Sequence, residues 1–92
     1  MYTILKVYST DCKPCKIYSE IREANKGVFK GSDIKFTEFN TDDSLELATE
    51  LEIRSVPTTI IFNTWPHTEV ARKTGLQMPR ELEEWINLHT KI

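Results

Sequence analysis

The chain predicts an α/β fold: a mixed four-stranded sheet with helices on both faces, in the order β-α-β-α-β-β-α. Three observations carry this. Stretches of apolar or alternating residues give way, again and again, to stretches of helical period. The two β-α-β steps at the start imply parallel strands joined by right-handed crossovers. The last two strands are separated only by a short polar turn, which makes them an antiparallel hairpin. Ninety-two residues suit one domain over 1–92, with an economical core.

The elements follow in order. "YTILKVYS" (2–9) is apolar on both faces apart from Lys6, the pattern of a central strand covered on both sides. From about Pro14 to Lys26 the period becomes helical. Ile17, Ile21, Ala24 and Val28 form one stripe, and Gly27 or Gly31 ends it. "DIKFTEFN" (33–40) alternates as a strand, with Ile34, Phe36 and Glu38 on one face and Thr37 and Phe39 on the other. Thr41 or Asp42 caps a helix running to about Glu52 that buries Leu45, Ala48 and Leu51. "TTIIFNT" (58–64) is β-branched and apolar, an interior strand. "HTEVARKT" (67–74) alternates weakly, as an edge strand does. Gly75 breaks it, and Pro79 suits the first turn of a last helix burying Leu82, Trp85, Ile86 and His89.

Composition excludes several classes. A formal charge of −2 without a basic run argues against nucleic-acid binding. No apolar stretch approaches the ~20 residues needed to cross a bilayer. "MYTILKVYST" lacks the basic start, long apolar run and cleavage site of a signal peptide. The expectation is a cytoplasmic monomer. In that compartment static disulfides are rare, and a close cysteine pair is more often catalytic or metal-binding.

Both cysteines, Cys12 and Cys15, lie in "STDCKPCKIY" (9–18), between the first strand and the first helix. Unpaired N–H groups and the dipole at a helix start stabilise an anion. That lowers a thiol's pKa from ~8.5, and the thiolate is the reactive form. Pro14 fits the first helical turn. Cys12 is expected to be the exposed attacking thiol and Cys15 the shielded resolving thiol. The other readings are weaker. Zinc needs about four ligands, and beyond the thiols the chain offers only His67 and His89, at non-finger spacing. Only a dimer sharing the metal would complete such a site. A static disulfide over so short a loop adds little stability.

At this point the chain resembles the thioredoxin family. The matching segments are "CKPCK" (12–16), "SVPTTIIF" (55–62) and "KTGLQMPRELEEWI" (73–86). The likeness runs over nearly the whole chain and is closest to the minimal core of the family. It implies a cis Val56–Pro57 bond opposite the cysteines, against a base rate of ~5% for such bonds. It implies that Val56 offers backbone groups to an extended substrate strand. Gly75 then lets substrate backbone approach closely. Lys13 and Pro14, between the cysteines, join Val56, Pro57 and Gly75 as substrate contacts.

Three departures stand out. Asp11 replaces the family's usual Trp before the first cysteine, and Lys13 replaces the usual Gly. The family's buried Asp, six residues before the first cysteine, is here Lys6, and its lysine partner on the next strand is here Glu38. The pair is expected to be charge-reversed. The rival reading has Lys6 reaching to solvent and Glu38 on a strand end.

The resemblance implies a thiol–disulfide oxidoreductase that reduces disulfides in protein substrates. A thioredoxin reductase or glutathione restores the dithiol, with no metal, flavin or nucleotide cofactor. A glutathione-dependent glutaredoxin is the nearest alternative. Against it, "TGLQMPRE" has one Gly where that group commonly has two, and "CKPC" is nearer "CGPC" than "CPYC". A non-catalytic interaction module on the same fold would tolerate loss of one cysteine, and this chain keeps both.

Overall fold

The computed structural model describes residues 2–13, 16, 34–63, 68–75 and 77–90. Over these the order is β1 (Tyr2–Tyr8), β2 (Ile34–Asn40), a 3-10 turn (Thr41–Asp43), α1 (Leu45–Glu50), β3 (Thr58–Asn63), β4 (Thr68–Thr74) and α2 (Pro79–His89). The helix expected from Pro14 to Lys26 and its glycine stop lie outside the described residues, except that Lys13 and Lys16 have helical backbone.

The strands form one mixed sheet in the order β2-β1-β3-β4. β1 and β2 are parallel, while β3 is antiparallel to both β1 and β4. β1 is central because Thr3 to Val7 are all buried, on both faces. On one face Ile4 and Ile61 pack against Leu82 and Ile86 of α2. On the other, Leu5, Val7, Ile60 and Phe62 pack against Leu51, Ile53 and Val56, at and beyond the end of α1. Each fully buried side chain of this kind contributes roughly 1.5–3 kcal/mol. The α/β sheet covered on both faces, expected from the pattern, is the fold found.

The sequence misplaced one helix start. Asn40, not Thr41 or Asp42, caps the 3-10 turn, accepting from the Asp42 N–H at 2.9 Å. Ser44 then caps α1, its hydroxyl accepting from the Leu47 N–H at 3.1 Å. With Ser44 as cap, Leu45 is the first helical residue and points outward at 77% exposure. Ala48 and Leu51 are half-buried. α2 buries Leu82 and Ile86 as expected, but Trp85 and His89 only in part. Those two rings meet edge-on with centroids 5.7 Å apart.

Candidate active site

Sheet topology gathers four connections at one end. β1 and β2 end there at Tyr8 and Asn40, which pair. β3 starts there at Thr58, opposite Val7, and β4 ends there at Thr74, opposite Thr58. Segments 9–13, 41–44 and 51–57, with Gly75 and residues 77–78, therefore share that end.

Cys12 lies in the first of these. It is disulfide-bonded. Its carbonyl accepts from the Lys16 N–H at 3.3 Å, the first bond of a helical turn. Lys13 and Lys16 are exposed. Cys12 is not exposed as expected but only 8% accessible. Its sulfur is engaged in a disulfide, and the loop before it is tied to the neighbouring connection. The Thr10 N–H donates to Asp42 Oδ2 at 3.0 Å, and Asn40 Nδ2 donates to Thr10 Oγ1 at 3.2 Å. The Thr10 N–H bond holds the Asp42 carboxyl below its usual range. Pro14 and Cys15 lie outside the described residues.

The third and fourth segments meet at the head of the hairpin. The Val56–Pro57 bond is cis and Pro57 is buried. The Gly75 N–H donates to the Pro57 carbonyl at 2.8 Å. Gly75 has φ +90°, and a side chain built on it would meet no atom within 4 Å. A cleft of about 360 Å³ opens beside Val56, lined also by Ser9, Thr41, Leu45 and Arg54. A second, of about 330 Å³, lies where Arg72 and Thr74 approach Glu52 and Thr58. It is framed by Arg72, which grips Glu69 with two bonds of 2.6 and 2.7 Å. The same guanidinium donates to the Leu51 carbonyl at 2.9 Å.

Lys6 and Glu38 are register partners on β1 and β2. Lys6 Nζ lies 3.4 Å from Glu38 Oε1. The two ends differ sharply in solvation: the Lys6 side chain is 2% exposed, the Glu38 side chain 43%. Lys6 therefore does not reach to solvent. Lys6 Nζ also sits 4.8 Å from the centroid of the Tyr8 ring. By strand alternation Lys6, Ile4 and Tyr8 share the face covered by α2.

Of the residues that sequence reasoning named, Cys12, Lys6, Glu38, Lys13, Val56, Pro57 and Gly75 are described, and Pro14 and Cys15 are not. It did not single out the Tyr8 ring beside Lys6 or the contacts that join Thr10 to Asn40 and Asp42. The signals were an aromatic residue two positions from a lysine on one strand face, and an Asn-x-Asp turn. Among the described residues, no three His, Cys, Asp or Glu side chains are grouped to hold a metal ion. Nor is any described helix long and apolar enough to cross a membrane.

Comparison with known proteins bears on the family and the fold. The family model for Thioredoxin matches residues 2–88. A thioredoxin of Rickettsia felis is 33% identical over 76 residues, which cover 83% of this chain and 70% of that protein. A thioredoxin of Rickettsia bellii is 32% identical over 77 residues, with the same coverage of 83% and 70%. A solved structure described as a malarial protein superposes with TM-score 0.82 at 22% identity, covering 98% of each chain. Thioredoxin-2 of the malaria parasite secretion machinery gives 0.84 at 22%, covering 97% of this chain and 84% of that one. At such identity these two likenesses bear on the fold.

Proposed function

The chain belongs to the thioredoxin family of protein-disulfide oxidoreductases, and from that premise we propose that it reduces protein disulfides through a Cys12–Cys15 dithiol/disulfide cycle. The observation that carries the reading is that Cys12, at the start of a helical turn, is disulfide-bonded in a chain with only one other cysteine, Cys15. Cys12 thiolate attacks one sulfur of a substrate disulfide, and the other leaves as a thiolate. Cys15 thiolate then attacks Cys12, releasing the second substrate sulfur and leaving Cys12–Cys15 oxidised. A thioredoxin reductase or glutathione supplies two electrons to reset it. The reaction is assigned to a monomer in the cytoplasm.

Val56, Pro57 and Gly75 are the substrate-strand contacts in this reading. The support is the Gly75–Pro57 bond that fixes them together and the open space over Gly75. Lys13 and Pro14 flank the sulfurs. Lys6 and Glu38 handle the proton of Cys15, which must leave before Cys15 can attack. The support is a buried ion pair with one end open to water, on the strand leading into Cys12.

Trapping tests the two thiols. Cys15→Ser should hold a stable mixed disulfide through Cys12, and Cys12→Ser should hold none. Equal trapping by both would reverse or void the roles. Stopped-flow kinetics tests the pair. Lys6→Met and Glu38→Gln should slow resolution of the mixed disulfide more than its formation. Wild-type resolution in both would remove Lys6 and Glu38 from the chemistry.

A further inference from the structure

The Cys12 loop offers a substrate little apolar surface. Besides Cys12, residues 9–13 are hydroxyl-bearing or charged: Ser9, Thr10, Asp11 and Lys13. A bound protein segment is discriminated largely by the side chains it seats in pockets, so apolar contact has to come from a neighbouring connection. Leu45 is the most exposed large apolar side chain among the described residues, at 77%. A single exposed leucine is ordinary on a protein surface. Leu45 differs in its place, because it lines the cleft of about 360 Å³ beside Val56. The same cleft is lined by Ser9, on the strand end that leads into Cys12.

Local bonds hold that cleft in shape. The Ser44 hydroxyl accepts from the Leu47 N–H at 3.1 Å, which makes Leu45 the first helical residue. Thr49 Oγ1, one turn on and also in the lining, donates to the Leu45 carbonyl at 2.8 Å. The Ile53 N–H donates to the Ala48 carbonyl at 3.0 Å and folds the chain back onto α1. Ser9 and Thr41, elsewhere in the lining, each adjoin a residue of the Thr10–Asn40–Asp42 bonds. A surface fixed in this way loses little freedom on binding. Its charge is uneven. Asp42, Asp43 and Glu46, all exposed, lie within three residues of Leu45, whereas Arg54 is the one basic residue of 41–57.

We infer that Leu45 is a specificity-determining residue: with Val56 it seats a bulky apolar side chain of the protein substrate, and the carboxylates beside it select a segment in which lysine or arginine stands next to that side chain. The inference rests on the disulfide-reducing reading above and adds to it the kind of segment that is reduced. The apolar contact holds the segment once it is bound. The charge pairs are exposed to water, so they act chiefly on its approach and weaken with salt. A segment with a carboxylate in that position meets Asp43 and Glu46 instead and is repelled. Arg54, two residues before Val56, also lines the cleft and repels a basic side chain from that part of it, so the lysine or arginine belongs on the Leu45 side.

The test uses the reduced full chain and short synthetic peptides, each with one cysteine held in a disulfide with a chromogenic aromatic thiol. The protein's dithiol supplies the two electrons, and release of the aromatic thiol gives the second-order rate constant. The peptides carry leucine or serine beside the cysteine, and lysine or glutamate next to that. The readout is the ratio between two peptides on one protein, which cancels any change in thiol reactivity. Wild type should reduce the leucine peptides about threefold to thirtyfold faster than the serine peptides, as expected for partial burial of one such side chain. It should reduce the lysine peptides about threefold faster than the glutamate peptides, a preference that fades towards about 1 M salt. Leu45→Ser should bring the leucine-to-serine ratio within about twofold of one, and Leu45→Met should keep it. Asp43→Asn with Glu46→Gln should remove the lysine preference alone. Leu45 is 77% exposed, so its variants keep the fold, and the peptide series on the wild type decides without them. If the leucine and serine peptides react alike, if Leu45→Ser keeps the preference, or if the glutamate peptides react as fast as the lysine ones, the inference falls and the disulfide-reducing reading stands. If the wild type reduces none of the peptides, or Cys12→Ser reduces them equally well, that reading falls and the inference with it.

Discussion

Gln77 offers a direct test of how this small core is held. It lies between Gly75 and α2, is 1% exposed, and neither polar atom of its amide finds a hydrogen-bond partner among the described residues. A buried polar group left without a partner costs about 1–3 kcal/mol. Methionine has nearly the same length and volume, no hydrogen-bonding demand and a flexible stem that fits an irregular gap. Gln77→Met keeps the packing and removes the desolvation cost. It should therefore stabilise the protein by about 1–3 kcal/mol, a large fraction of a small domain's total stability. In urea, with a slope of ~1–3 kcal/mol/M, the midpoint should rise by about 1 M with the slope unchanged. The melting temperature should rise by ~4–8 °C for each kcal/mol gained. Gln77→Ala separates the two terms, since it removes the amide and also leaves a cavity, and it should be less stable than Gln77→Met. If Gln77→Met is no more stable than wild type, the amide is hydrogen-bonded in solution and the reasoning fails.

Four further outcomes follow from the same geometry. Arg72→Met removes the grip on Glu69 and on the carbonyl that ends α1, and should cost about 1–2 kcal/mol in thermal unfolding. Glu69, bonded by Arg72, and Asp42, bonded by the Thr10 N–H, both titrate below their ordinary values of 4.5 and 3.8. Their contributions should therefore be complete at neutral pH and disappear as pH falls through about 4 and below, so unfolding at pH 7 and pH 3 should differ less in Arg72→Met than in wild type. Gly75→Ala meets no atom but must hold φ +90°, so it should lose about 1 kcal/mol; reduction of a protein disulfide should suffer more than reduction of a small aromatic disulfide. Glu38→Gln should destabilise more than Lys6→Met in urea unfolding, because it leaves a buried ammonium without its carboxylate, whereas a half-exposed carboxylate can turn to water.

Much of the fold was legible because its elements differ strongly in pattern. β1 is a continuous apolar run with one lysine, and only a doubly covered strand needs that. The edge strand β4 shows weak alternation for the opposite reason. The start of α1 was not legible. "NTDDS" (40–44) supplies five residues that can each cap a helix or turn, and local rules do not choose among them. The choice is tertiary. Thr10, thirty-two residues away, takes the Asp42 carboxylate through its backbone N–H. That leaves Ser44 to cap α1, and Leu45 turns outward. The Lys6–Glu38 pair was legible because both residues fall within strands whose register the β-α-β step sets. Its asymmetry of burial was not, since it depends on β2 being an edge of the described sheet while β1 is central.

That asymmetry bears on why such a pair stands in the sheet. Glu38, Lys6, Thr59 and Lys73 lie on one rung across all four strands, and the next rung on the same face is Phe36, Ile4, Ile61 and Ala71. Apolar residues therefore fit this face, and well-packed ones in place of a buried ion pair are often neutral or stabilising by 1–4 kcal/mol. Stability alone does not require a charged rung. Nor does solubility, since a lysine at 2% exposure presents nothing to water. The proton relay proposed for the pair would require it. It needs a base with a route to solvent, which the exposed side of Glu38 provides. It also needs that base kept charged and in place, which a neighbouring cation accomplishes only if the cation itself cannot wander. Burial beside a carboxylate and an aromatic ring holds Lys6 in place, and the carboxylate stands at the wetter end of the pair.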